Sequence, residues 1–262
     1  MKQGLMIDMN GVIYAGDSLI EGADVFIKRL LDRNVPFTFL SNNSQRTQSE
    51  AINKLNELGI EGVKEEHIYT SAMATATFLK DQYPGCSAYI LGEGGLLKSL
   101  KENGIKAVDD NPDFVLLGEG HEFTLPMVHR AVDMILAGAK FIATNRDPSP
   151  RKAGWNNLGI AAIVAMIEEA SGREAFVIGK PSPVMMRSAS AYMGLKSSDT
   201  TVVGDTMETD IKGGIYMGFK TILVLSGIAD SENLSRYAFK PNLVVNSVDE
   251  IQFPLEWWSH RQ

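Results

Sequence analysis

A single cysteine, Cys86, occurs in 262 residues, so no intramolecular disulfide can form and the chain suits a reducing compartment. Cys86 follows Pro84-Gly85 and reads as a small residue near a turn rather than a reactive thiol. No apolar run reaches the roughly 18 residues of a membrane span, and the N-terminal stretch has no signal-peptide core. The expectation is a cytoplasmic protein that does not engage a membrane. No block of Lys and Arg interrupts a chain of net charge −7, which argues against a nucleic-acid polymer as partner. Low-complexity tracts and fixed-period repeats are missing, and so are the architectures they build. The four histidines, His67, His121, His129 and His260, show no ligand spacing and read as surface or packing residues. Gly92, Gly94 and Gly95 lack the third glycine of a dinucleotide fingerprint, since position 97 is Leu, so the segment reads as a tight strand-to-helix turn. The Asn42 and Asn233 glycosylation patterns carry no weight without a secretory signal. Met185-Met186 and Trp257-Trp258 read as packing residues.

What is present is an alternation. Short apolar runs at 5–9, 37–41, 68–70, 88–92, 114–118, 141–144, 176–179, 200–204, 221–225 and 243–245 read as strands. Between them, amphipathic stretches at 22–33, 47–58, 72–82, 94–103, 124–137, 158–170, 182–193 and 208–217 read as helices. Such alternation predicts parallel sheets with helical crossovers, hence an α/β protein. Ten strands are many for one open sheet of this length, which predicts two α/β units. Turn-forming residues at Asp81–Gly85 and Ser171–Arg173 mark the seams.

Four predicted strand ends carry the chemistry-bearing residues. They are Asp8-Met9-Asn10-Gly11, Ser41-Asn42-Asn43-Ser44, Gly179-Lys180-Pro181-Ser182-Pro183 and Gly204-Asp205-Thr206-Met207-Glu208-Thr209-Asp210. In a parallel sheet the C-terminal strand tips share one edge, where ligands bind. A carboxylate nucleophile approaching a phosphate dianion needs cations to offset repulsion. Mg²⁺ held by Asp8 and Asp205 and a fixed charge on Lys180 would supply them. Ser41 and backbone N–H groups beyond it could hold the other phosphate oxygens, and Asp210 could accept hydrogen bonds from metal-bound water. Each segment also has a plainer reading. Asp8 could cap a strand end, Ser41–Ser44 could be a turn and N-cap, and Ser182-Pro183 fits a helix start. Asp210 could be a helix-surface acid.

In this order the four segments resemble the motifs of the haloacid dehalogenase (HAD) superfamily of aspartyl phosphotransferases. Tyr69–Thr75, Asn111–Phe114, Phe141–Asn145, Gly179–Pro183 and Thr221–Gly227 are similar to its NagD-like sugar- and nucleotide-phosphatase branch. The resemblance covers nearly the whole chain. It implies a Rossmann-like parallel-sheet core over residues 1–80 and 178–262, with a large inserted α/β cap over 81–177 that sets substrate specificity. It also implies Asp8 as nucleophile, position 10 as general acid/base and, through its carbonyl, a metal ligand, and Ser41, Asn42 and Asn43 as phosphate-binding residues. Lys180 would clamp the phosphate, and Asp205 with Asp210 would serve the metal. In the cap, Asn145-Arg146-Asp147-Pro148 and the loop on to Trp155 offer charge and an aromatic surface to substrate.

Position 10 departs from that pattern. Active family members carry Asp there, whereas this chain has Asn10. A carboxamide hydrogen-bonds but does not shuttle a proton near neutral pH, which lowers turnover by about 10²–10⁴. A trapping substitution and a natural loss of hydrolytic power both account for it. The sequence therefore predicts a Mg²⁺-dependent phosphatase of small phosphorylated metabolites, sugar phosphates or nucleoside monophosphates, impaired at Asn10. The alternative is a non-enzymatic phosphate-binding or phospho-acceptor module. A homo-oligomer is compatible with this sequence, which specifies no subunit number.

Overall fold

The computed structural model describes residues 3–148, 158–255 and 257. The chain forms two compact units, one drawn from Met1–Ser41, Ser49–Tyr69 and Met186–Gln262, the other from Asn42–Gln48 and Thr70–Met185. The second unit is wider than the 81–177 span read from the sequence. It takes in the helix Ser71–Gln82, which packs against the helix Gly95–Glu102. Among the described residues no helix is long and apolar enough to cross a membrane.

The first unit is built on a six-stranded sheet in the order Leu243–Val245, Lys220–Val224, Thr200–Gly204, Gly4–Ile7, Phe37–Ser41, Ile68–Thr70. Gly4–Ile7 lies near the centre, paired in parallel with Thr200–Gly204 on one side and Phe37–Ser41 on the other. All four of its residues are buried, as both faces of a parallel sheet require. One face packs Leu5, Ile7, Phe39 and Val203 against the helices Ala23–Asp32 and Gln48–Glu57. Ala23, Phe26, Ile27 and Leu30 recur at the i, i+3, i+4, i+7 spacing and form that helix's buried stripe. The stretch read as one helix over 208–217 begins instead with a π-helical turn, Met207–Ile211, before the α-helix Lys212–Tyr216. Wide turns of this kind recur at functional sites.

The second unit has a five-stranded parallel sheet in the order Phe176–Val177, Lys140–Ala143, Phe114–Leu117, Ser87–Leu91, Lys106–Ala107. Its core includes Leu91, Val115, Leu117, Val132 and Ile163, from the sheet and the helices Leu125–Leu136 and Ile160–Ser171. Thr124 caps the first of these helices by accepting the Met127 N–H at 3.4 Å. All ten strands and eight helices read from the sequence are present within a few residues. The two-residue strand Lys106–Ala107 and the hairpin Tyr14–Ala15/Ser18–Leu19 were not anticipated; such short pieces carry too little periodicity to read. Met185 and Met186 are fully buried, as packing residues should be.

Candidate active site

In the first unit three acids gather at the C-terminal ends of neighbouring strands. Asp8 follows Gly4–Ile7 and donates its N–H to Val203 O at 2.9 Å. Asp205 follows Thr200–Gly204, and Asp210 lies on the π-helical turn. One carboxylate oxygen from each lies within 4.8 Å of the others. Asp205 and Asp210 are each 1% exposed, and carboxylates buried so deeply need compensating partners. Asp205 Oδ1 accepts Thr206 Oγ1 at 3.1 Å and Oδ2 accepts the Ile228 N–H at 2.8 Å. Asp210 Oδ2 accepts the Thr206 N–H at 3.2 Å.

Local backbone makes the gathering compatible with packing. After Asp8 the chain turns back at once: the Ile13 N–H bonds Met9 O at 2.8 Å and the Gly11 N–H bonds Tyr14 O at 2.7 Å. Gly11 adopts φ +81°, and a Cβ there would strike the Asp205 carboxylate, so only glycine fits on both counts. Gly227 approaches the same carboxylate as closely. Asn10 stands exposed in the turn.

These acids fit a hard divalent cation. Bonds of about 2.0–2.1 Å set ligand oxygens of an octahedral Mg²⁺ at most about 4.2 Å apart. A three-acid cluster within 4.8 Å is close to that span, as carboxylates serving one such ion must be. A cavity of about 450 Å³ opens beside Asp205, lined also by Thr206, Glu208, Ile228, Arg236 and Tyr237. The Tyr237 hydroxyl donates to Glu208. That bond, with burial and the Glu208 charge, pushes the phenol above its ordinary pKa.

Ser41 ends its strand half-buried, and the chain then enters the second unit. There the Asn42 amide pairs with the backbone of Lys180: its Oδ1 accepts the Lys180 N–H at 2.7 Å and its Nδ2 donates to Lys180 O at 3.1 Å. The same Nδ2 donates to Asp147 Oδ1 at 2.9 Å. Lys180 is buried at 4% exposure. Asn43 Oδ1 accepts the Arg46 N–H at 2.7 Å and so shapes the turn. Asn145 is fully buried, with Nδ2 donating to Asn42 O at 2.8 Å and to Glu119 Oε1 at 2.6 Å, and Oδ1 accepting the Asp147 N–H. Arg146 is half-exposed and ion-paired with Glu168. The predicted substrate loop beyond Pro148 lies outside the described residues up to Leu158, as do Trp258 and His260. Trp257 packs against the first unit's core and donates its indole N–H to Thr201 Oγ1 at 3.1 Å.

The structure therefore brings Asp8, Asp205 and Asp210 together in one cluster, and Asn42, Asn145 and Lys180 together in another. The sequence did not point to Glu119, which sits in the second cluster two residues beyond the strand Phe114–Leu117. Its only sequence signal is that position after an apolar run.

A family model described as haloacid dehalogenase-like hydrolase matches residues 5–106, and a second HAD-like hydrolase model matches 177–251. The chain is 41% identical over 246 residues to dihydroxyacetone phosphatase of Corynebacterium glutamicum, covering 94% of this chain and 89% of that protein. It is 38% identical over 249 residues to the ribonucleotide monophosphatase NagD of Escherichia coli, covering 95% and 98%. Among solved structures, NagD of E. coli superposes with a TM-score of 0.90 at 37% identity, over 95% of this chain and 98% of that one. A p-nitrophenyl phosphatase of Archaeoglobus fulgidus gives 0.88 at 33%, over 95% and 97%. The chain belongs to the haloacid dehalogenase-like hydrolase superfamily, in its NagD-like branch.

Proposed function

We propose that this protein is a Mg²⁺-dependent phosphoric monoester hydrolase acting on small phosphorylated metabolites, sugar phosphates or nucleoside monophosphates, through an aspartyl-phosphate on Asp8. The observation that carries this reading is the convergence of the Asp8, Asp205 and Asp210 carboxylates at the C-terminal edge of a parallel sheet. The names of the relatives, a dihydroxyacetone phosphatase and a ribonucleotide monophosphatase, support the substrate class.

Asp8 attacks phosphorus, the bond from phosphorus to the leaving oxygen breaks, and that oxygen takes up a proton. Water then cleaves the acyl phosphate and gives up a proton, returning Asp8 as a carboxylate. Asp8 and Asp205, with the Asn10 carbonyl, would hold Mg²⁺, and Asp210 would support its waters. When bound, the ion offsets the repulsion between carboxylate and phosphate. Ser41, Asn43 and backbone N–H groups hold phosphate oxygens, and Lys180 supplies fixed positive charge where charge shifts. Asn42 and Asn145 act by holding these groups, because their amides are bonded within the protein. Residues 81–177 serve as the specificity cap on a core of 1–80 and 178–262, and Arg146 offers its charge to substrate.

Asn10 can neither protonate the leaving oxygen nor take the proton from water. Restoring the carboxylate with Asn10→Asp should raise turnover of p-nitrophenyl phosphate by about 10²–10⁴-fold, and EDTA should abolish it. Asn10-Gly11 is a pair prone to deamidation, and about 1% of Asp at position 10 would imitate a rate only 10²-fold below the variant's. Parent activity is therefore read on protein whose mass shows no conversion. Asn10 also favours a second reading, a phospho-acceptor that keeps its phosphoryl group. Unchanged turnover in Asn10→Asp, with acyl phosphate accumulating on Asp8, would establish that reading instead.

A further inference from the structure

Glu119 is half-buried, and the protein groups bonded to its carboxylate are all donors. Oε2 accepts the Ser44 N–H at 2.7 Å and the Ser44 hydroxyl, and Oε1 accepts Asn145 Nδ2 at 2.6 Å. The Ser44 hydroxyl can give its proton to the carboxylate because its own oxygen accepts from the Glu119 N–H at 2.9 Å and Thr144 Oγ1 at 3.1 Å. From there the bonds run inward. Asn145 Nδ2 also donates to Asn42 O at 2.8 Å, joined by the Ser71 hydroxyl at 2.5 Å. The Asn42 side chain holds both backbone polar groups of Lys180. A further anchor, Gln45 Nε2 on Glu93 Oε2 at 2.9 Å, holds the middle of the same loop.

We propose that Glu119 is a positioning residue for phosphate binding: it fixes the loop Asn42–Gln48 through Ser44, and fixes Asn42, hence Lys180, through Asn145. The proposal rests on reading the Ser41–Asn43 segment and Lys180 as the phosphate-holding groups. Burial raises the Glu119 carboxyl above its ordinary pKa, while the Ser44 and Asn145 donors pull it back down and the Asp147 charge raises it further. Ser44 fills both acceptor sites of Oε2 and Asn145 Nδ2 bonds Oε1, so these partners use the carboxyl group only as an acceptor. An acceptor-only group is what this position requires, because donors approach it from two sides.

That requirement gives the test. In Glu119→Gln the amide has one accepting and one donating end. However it is turned, an N–H meets either the Ser44 pair or the Asn145 amide. Inorganic phosphate is titrated calorimetrically into the full chain with Mg²⁺ present, and KM and kcat for p-nitrophenyl phosphate are measured in the Asn10→Asp background. Glu119→Gln should weaken phosphate affinity and raise KM by about tenfold, the scale of one displaced hydrogen-bonded group. Mg²⁺ affinity measured without phosphate should stay as in the parent, which a general loss of structure would not allow. Glu119→Asp keeps the acceptors but is too short to reach both partners, so it should fall between the two. If Glu119→Gln does not fold, Glu119→Asp carries the test. Parent-like phosphate affinity in a folded Glu119→Gln or Glu119→Asp overturns the positioning role alone. A parent that binds no phosphate overturns the role together with the phosphate-loop reading.

Discussion

A methyl group added at Gly227 tests the acid cluster without substituting any of its members. A Cβ at this position would lie 2.6 Å from Asp205 Cγ and 2.7 Å from Asp205 Cβ, and closer still to Oδ2, where ordinary contact begins near 3.4 Å. Gly227 does not have the positive φ that would strain another residue, so the effect of Gly227→Ala is steric. Something must yield by at least about 0.8 Å, several times the roughly 0.2 Å tolerance of a metal–ligand bond. The carboxylate cannot simply swing aside, because the Ile228 N–H and the Thr206 hydroxyl hold its two oxygens. Overpacking costs about 1–3 kcal/mol of stability, and losing the Ile228 bond adds about 1 kcal/mol. Displacing one ligand rather than deleting it should weaken Mg²⁺ binding by about 10–100-fold. Calorimetric titration measures this directly, and thermal unfolding with and without Mg²⁺ checks it, since the parent gains more stability from the ion than the variant does. Gly214→Ala is the control. Its Cβ would crowd Thr221 and Val202 in the same unit, so it should lower stability and leave Mg²⁺ affinity intact. A folded Gly227→Ala with parent-like Mg²⁺ affinity would refute the placement of Asp205 in the ion site.

His67 should make stability depend on pH. Its ring stacks on Phe37 at 4.6 Å, and its Nδ1 accepts the Lys64 N–H at 3.0 Å. Burial pushes its pKa below 6.5, with Glu66 opposing and Lys64 reinforcing. The unfolded chain then binds the proton more readily, so the contribution is full above pH 6.5 and is lost as pH falls through the folded-state value. Proton NMR should give a folded-state pKa under 6.5, and His67→Gln should flatten stability between about pH 7 and 5; a measured value at or above 6.5 removes the basis for this. Arg146→Ala should reorder preference among phosphorylated substrates, with little change in melting temperature because a half-exposed pair contributes about 0–1 kcal/mol. An equal effect on every substrate, including p-nitrophenyl phosphate, would contradict a role in selectivity.

Much of the architecture could be read from residue order because it is governed by periodicity. Apolar runs such as Leu5–Ile7 and Val202–Val203 are buried on both faces and so have no polar side to disguise them. The helix Ala23–Asp32 declares itself by a single buried stripe. Parallel pairing then brings the Asp8 and Asp205 strand ends to one edge without further information. Hydrogen-bond directions within loops follow no such rule. Asp210 lies close to Asp8 and Asp205 on a π-helical turn that opens a stretch which reads as continuous helix. The sequence alone could place Asn42 and Asn145 only as polar residues at strand ends. The tertiary structure decided that their amides face inward, to the Lys180 backbone and the Glu119 carboxylate. Glu119 itself is 75 residues from Ser44 in the chain. Periodicity reports which face of an element is apolar, whereas the partner of a polar group is set by which loops the fold brings within about 3 Å of it.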